Sequence, residues 1–455
     1  MTSPDIQLGG DNVAGDVAPR VARIGGAAAI LGIGVAAALG YVTGGEEGPT
    51  HFWFAYLVAF AFILTITMGA MFFTIIQHLV NAHWSVTVRR LAEVTMSVVP
   101  TVCLLGLPLL YPLLSEDITI WRWAEGHHEV GHGEAHGAED AGHAEAGHGA
   151  KEGKEDHGDE SEEAYAEHLE HGLHQRLVDH KLPYLNKNFF VGRLLGYFVL
   201  WFLLSRFFFR KSVEQDTADG IEPTLRMKKW SAPSVILFAL TLSFASFDLL
   251  MSLDETWFST IFGVYIFAGG YLSSIAWLVI VAKYLQSRGR MTEVIHKEHY
   301  HDLGKWMFAF TFFWGYIAFS QFMLIWYANI PEETHFYGFR ITPAWHAWSW
   351  FLLIGHFIIP FGGLLSRHVK RSTNVLLGWA IYMMVMHWVD LYWIVMPNFQ
   401  RGDVTASNPF GPVEVLLALG MFGFLVWAVA RRAAGQSLVP LRDPLLGKSL
   451  GFKNI

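Results

Sequence analysis

The chain has 455 residues, of which 53% are hydrophobic, 15% aromatic and only 16% charged. A soluble globular domain carries nearer a quarter charged residues, so this composition excludes an ordinary soluble enzyme. The net charge of −8 is unevenly placed and gives no ground for nucleic-acid binding, while the single cysteine, Cys103, excludes an internal disulfide, a cysteine-ligated iron–sulfur cluster and a covalently attached haem c within this chain.

Ten apolar stretches follow one another at roughly 23–43, 52–80, 88–114, 189–210, 232–253, 257–286, 302–330, 342–367, 373–396 and 410–432. Each reaches the ~20 residues that cross a ~30 Å hydrocarbon core. Unpaired backbone amides are costly in lipid, so these spans are expected to be helices of an all-α polytopic membrane protein. A polar tail, 1–20, precedes them, and a second tail, 433–455, follows. The first span is Ala/Gly-rich without a clear small-residue cleavage site, and is read as a retained helix rather than a signal peptide.

Basic residues alternate between sides. Arg20 and Arg23 precede the first span, Arg89 and Arg90 follow the second, and Arg206, Arg210 and Lys211 close the fourth. Lys283 and Arg288 follow the sixth, Arg367 and Arg371 the eighth, and Arg431 and Arg432 the tenth. Short loops of the other parity hold only Arg340 and Arg401. The positive-inside rule then predicts that both tails are cytoplasmic and that the loop 115–188 lies on the opposite side of the membrane.

That loop has two parts. Residues 125–163 are almost wholly His, Glu, Gly, Ala and Asp, a composition that predicts disorder. Its His127, His128, His132, His136, His143 and His148 are imidazoles of the kind that hold zinc or copper, but they lack a fixed ligand spacing, and a solvated insertion is expected. Tyr165, Leu169, Leu173 and Leu177 then recur every four residues, the pattern of an amphipathic helix.

A faint repeat runs through the spans. The second begins with Trp53-Phe54 and the sixth with Trp257-Phe258, and both become small-residue-rich, at Gly69-Ala70 and at Ala268-Gly269-Gly270. An offset of four spans preserves direction, which gives a parallel repeat: two four-helix bundles, spans two to five and six to nine, flanked by the first and last. The alternative is that Trp belts and small residues belong to any membrane bundle.

Ionisable residues inside spans are candidates for function. Asp248 and Asp390 lie five to seven residues from the outer ends of spans five and nine, so ~8–10 Å deep. With Asp254, Glu414 and His387, one turn from Asp390, they form an expected outer set for proton passage or for a quinol head group; the alternative is helix capping or pairing with Arg340 or Arg401. His78 and Glu93 make a weaker inner set, where Arg89 at i−4 offers Glu93 an intrahelical ion pair. Gln321 is expected to bond neighbouring helices rather than to bridge the two sets. Counted at 1.5 Å per residue, His356 is ~20 Å and His387 ~13 Å from their outer ends, so the two are not expected to pair or to hold a haem b. No P-loop motif is present, which argues against nucleotide hydrolysis.

Two stretches carry a family resemblance: SFASFDLLMSLDETWFSTIFGVYIFAGG at 243–270 and HDLGKWMFAFTFFWGYIAFSQFMLIWYANIPEET at 301–334. They resemble the second large membrane subunit of alternative complex III, a bacterial quinol:cytochrome c oxidoreductase, which is similar to the NrfD/polysulfide-reductase membrane anchors. The resemblance extends over spans two to ten. It implies ten helices with two four-helix bundles. It also implies partners: a homologous membrane subunit, a multihaem cytochrome c subunit, an iron–sulfur subunit and small membrane subunits. Haem c and iron–sulfur clusters would reside in those partners, with a quinone the one candidate ligand here. The chain's implied role is proton conduction, quinone interaction or assembly. The alternative class is a stand-alone secondary transporter, with a metal cation as cargo in view of the His-rich loop.

Overall fold

The computed structural model describes residues 12–115, 117–124, 179–400 and 407–454. The expectations for 125–163 and for the helix over 165–177 lie outside these residues. Among the described residues ten helices are long and apolar enough to cross a membrane. They are α1 Val17–Thr43, α2 Gly48–Leu79, α3 Val86–Leu114, α4 Lys187–Gln215, α5 Glu222–Leu253, α6 Phe262–Ser287, α7 Lys297–Ala328, α8 Pro343–Leu365, α9 Thr373–Asn398 and α10 Pro412–Ala433. The chain is an all-α polytopic membrane protein.

Most boundaries fall close to those expected, and the exceptions have local causes. α5 begins at Glu222, ten residues before its apolar run, because Pro223 sits in the first turn where its missing N–H costs nothing. Hydropathy registers the apolar part of a helix and not its polar extension. α1 likewise starts at Val17, inside the segment expected to be a tail. α3 is not one regular helix: it breaks into Val86–Met96, Val99–Leu104, Leu107–Leu109 and Leu110–Leu114, as Pro100, Pro108 and Pro112 each withhold a backbone donor. A short helix, Pro331–Arg340, joins α7 to α8.

The packing realises the repeat. In the first bundle α2 touches α3 and α5, and α4 packs on both α3 and α5; in the second, α6 touches α7 and α9, and α8 packs on both α7 and α9. The first helix of each bundle, α2 and α6, cross at the centre. The crossing falls on the small residues that marked the repeat. A Cβ on Gly69 would stand 2.8 Å from the Gly270 carbonyl oxygen, and one on Gly270 2.8 Å from the Thr65 Cβ. Glycine here permits backbone approach, the usual route to tight helix contact without a hydrophobic driving force. α1 pairs with α10 outside the bundles and α10 leans on α2.

The first and last described segments lie on one face. Val13 bridges Ser437, and the Leu438 amide donates to the Asn12 carbonyl at 2.7 Å. The C-terminal segment is folded against the helix ends: the Ser449 hydroxyl donates to the Trp84 carbonyl at 2.9 Å, and the Thr87 amide donates to that hydroxyl at 3.3 Å. This is the terminal face; the loop after α3 opens the opposite, distal face.

Candidate functional site

A fully buried polar group of α8 and α9 lies where the second bundle meets α2. His356 of α8, with His387 and Asp390 of α9, are each 1% exposed or less. One donor atom from each lies within 4.8 Å of the others. This corrects the expectation that the two histidines do not pair. The depth count placed the outer ends of the spans too loosely. With α8 beginning at Pro343 and α9 ending at Asn398, His356 and His387 stand 13 and 11 residues from those ends. At 1.5 Å per residue that is a mismatch of only ~3 Å. α8 is also π-helical over Leu353–Ile358, which includes His356. Pro360 lacks the N–H that would bond the His356 carbonyl four residues back, and π-turns of this kind recur at functional sites.

Three further helices complete the surroundings. Tyr265 of α6 donates its hydroxyl to one Asp390 oxygen, and Trp314 of α7 donates its indole N–H to the other at 3.0 Å. The Trp314 and His356 rings pack with centroids 3.9 Å apart. Thr65 of α2 lies 2.8 Å from His387 Nε2. The Thr65 hydroxyl also donates to the Ala61 carbonyl at 2.8 Å, so it accepts from His387 Nε2–H. That tautomer leaves Nδ1 of His387 as a lone pair, and neither it nor either His356 nitrogen has a hydrogen-bond partner among the described residues. Gly269 makes the room: a Cβ there would stand 2.9 Å from His387 Nδ1. Asp390 forms no ion pair among the described residues; its oxygens are met by neutral donors alone.

The other expected outer residues are elsewhere. Asp248 faces α4, where Arg193 holds it with a bidentate pair, Nε at 3.0 Å and Nη2 at 2.9 Å, and Tyr197 adds a hydroxyl at 2.8 Å. Asp254 caps the turn before α6, accepting from the Thr256 hydroxyl at 2.8 Å and from the Trp257 amide at 3.1 Å, and pairs with His335 at 2.7 Å. Glu414 opens α10, accepting from the Gly411 amide at 2.9 Å and standing 2.5 Å from His51 Nε2. Only His387 and Asp390 of the expected outer set therefore meet. Arg340 binds the carbonyls of Phe336, Trp393 and Ile394 at 2.7–3.2 Å, and Arg401 lies outside the described residues. Gln321 joins Ser259 to Tyr337, as expected of an interhelical bond.

His78 and Glu93 do come together, 3.7 Å apart, in a buried charge network at the terminal face. Arg89 and Arg90 each reach Glu93 at 3.0 Å, so the predicted i,i+4 pair forms. Arg89 also binds Asp443, and Arg90 binds Asp216 at 2.8 Å. Burial pushes the Asp216 carboxyl above its ordinary range despite the pull of Arg90. The network ties α3 to the end of α4 and to the C-terminal segment, which is the work of a structural clasp.

Sequence reasoning weighed His356 and set it aside on depth, and it missed Tyr265, Trp314 and Thr65. A signal existed for two of these: Tyr265 and Trp314 lie in the distinctive stretches 243–270 and 301–334. No protein-family model matches the chain, and a search of curated proteins finds no relative.

Proposed function

We propose that this chain is an integral-membrane subunit of a bacterial quinol:electron-acceptor oxidoreductase of the alternative complex III type. In this reading it sits in the inner membrane with its terminal face toward the cytoplasm, and the Asp390–His387–His356 group carries protons for the complex. The observation that carries this role is the contrast between Asp248 and Asp390. The two occupy the last helix of their respective bundles. Asp248 is locked to an arginine, whereas Asp390 has only neutral donors, with His356 and the Nδ1 side of His387 unpartnered among the described residues beside it. An intramembrane acid without a counter-ion is a functional group by default. His387 and Asp390 can each take or release a proton, and the Tyr265 and Thr65 hydroxyls lead from the group to α6 and α2. An apolar cleft of about 440 Å³, lined by Phe62 of α2, Met384 and Trp388 of α9 and Phe422 of α10, suits an isoprenoid chain, which supports quinone interaction nearby.

The test is Asp390→Asn in the complex isolated from its native membrane. Proton release and quinol turnover per assembled complex should fall at least tenfold with subunit content unchanged. Normal turnover would remove the proton role. Co-purification with a haem c protein tests the assembly itself.

One observation favours a second reading. Two imidazoles and a carboxylate within 4.8 Å of one another match the donor set for a transition-metal cation, which would be cargo in a secondary transporter. That reading requires metal-dependent uptake by the isolated chain in proteoliposomes, and no haem partner.

A further inference from the structure

On the terminal face a cavity of about 540 Å³ opens between α3, α4 and α10. Its wall carries four arginines, Arg206 and Arg210 from α4 and Arg431 and Arg432 from α10. None of the four forms an ion pair among the described residues. Glu214, the nearby acid on α4, is taken by Lys211 at 2.7 Å. Arg432 is fixed in place, its Nε donating to Ser97 at 3.2 Å and its guanidinium lying over Phe209 at 4.3 Å. Arg431 lies over Trp427. The rest of the wall is largely apolar, with Phe202 exposed beside the arginines.

Charge of one sign gathered around a concave site is uncompensated and calls for an anion. The position narrows the anion. Arg431 and Arg432 occupy the last turn of α10, the level at which that helix ends on the terminal face. An anion there has an apolar helix wall extending from it into the hydrocarbon. Basic pockets between transmembrane helices at this level bind anionic headgroups, and arginine's planar fork suits phosphate oxygens. We infer that the cavity between α3, α4 and α10 is a binding site for the phosphodiester headgroup of an anionic glycerophospholipid, with the acyl chains along α4 and α10. This site is separate from the Asp390 group and does not depend on the function proposed for it.

The test uses the intact protein, as its native complex where one forms, delipidated in mild detergent. Phosphatidylglycerol, phosphatidylcholine and inorganic phosphate are titrated separately, with thermal unfolding and retained lipid by native mass spectrometry as readouts. Phosphatidylglycerol should raise the melting temperature and be retained, while phosphatidylcholine and inorganic phosphate should do neither. Arg206→Gln with Arg432→Gln should weaken phosphatidylglycerol binding at least tenfold. Arg226→Gln with Lys228→Gln, exposed basic positions outside the cavity, should leave it unchanged. If the first pair fails to fold, Arg210→Gln with Arg431→Gln asks the same question. Equal retention by cavity and control variants would overturn the assignment. So would a phosphate effect equal to that of the lipid, which indicates a free-ion site, or cross-linking of position 206 to a polypeptide instead of a lipid.

Discussion

Asp248→Asn and Asp390→Asn are the same chemical change at matching places in the two bundles, yet the structure assigns them unequal costs in stability. At Asp248 the change strips a buried carboxylate from a bidentate arginine. Arg193 keeps its charge with the Tyr184 carbonyl at 2.9 Å and the faces of Tyr184 and Phe189 as its remaining company. Removing one partner of a buried pair costs about 3–5 kcal/mol. Arg193 retains 9% side-chain exposure near the distal end of α4, so the lower end, about 3 kcal/mol, applies. At Asp390 no counter-charge is stranded. The asparagine oxygen still accepts from the Trp314 indole, and the Tyr265 hydroxyl can turn to accept from the new amide, so the loss is about 1 kcal/mol, that of a typical hydrogen bond. The assay is thermal unfolding of each variant in one detergent, read beside the wild type. Asp248→Asn should lower the apparent Tm by several degrees and Asp390→Asn by much less. Equal losses, or the reverse order, would refute the claim that Asp248 is the neutralised acid and Asp390 the free one.

Gly69→Ala and Gly270→Ala should each destabilise by about 1–3 kcal/mol through overpacking at the α2–α6 crossing, whereas Gly34→Ala and Gly378→Ala, whose Cβ would meet nothing within 4 Å, should be neutral or stabilising in the same melt. Gly269→Ala pushes a methyl against His387 Nδ1 and should impair proton release more than it lowers Tm, measured on assembled complex. Asp443→Asn frees Arg89 from the C-terminal segment, and trypsin should then cut at Lys448 and Lys453 faster than in the wild type while the helices stay intact. Deletion of residues 125–163 should leave assembly and turnover largely unchanged, and a severe loss of turnover would show the His-rich stretch to be a working element.

Span number, order and approximate ends were legible in the sequence because lipid imposes a local rule: each crossing needs a continuous apolar run with every backbone group bonded within it. The repeat was legible for a related reason. Only small residues allow α2 and α6 to cross closely, and Gly69 and Gly270 stand in the chain in plain view. Partner choice was not legible. Asp248 and Asp390 look alike in their local stretches, and what separates them is whether a neighbouring helix brings an arginine. Nothing near Asp390 in the chain announces Tyr265, Trp314, Thr65 or His356, which arrive from four other helices. Depth counting failed for His356 because a π-turn and the true helix ends shift a side chain by several ångströms, enough to join it to His387 or to part them. The electrostatics of a buried acid depends on groups within a few ångströms in space, and in a ten-helix bundle tertiary packing decides which groups those are.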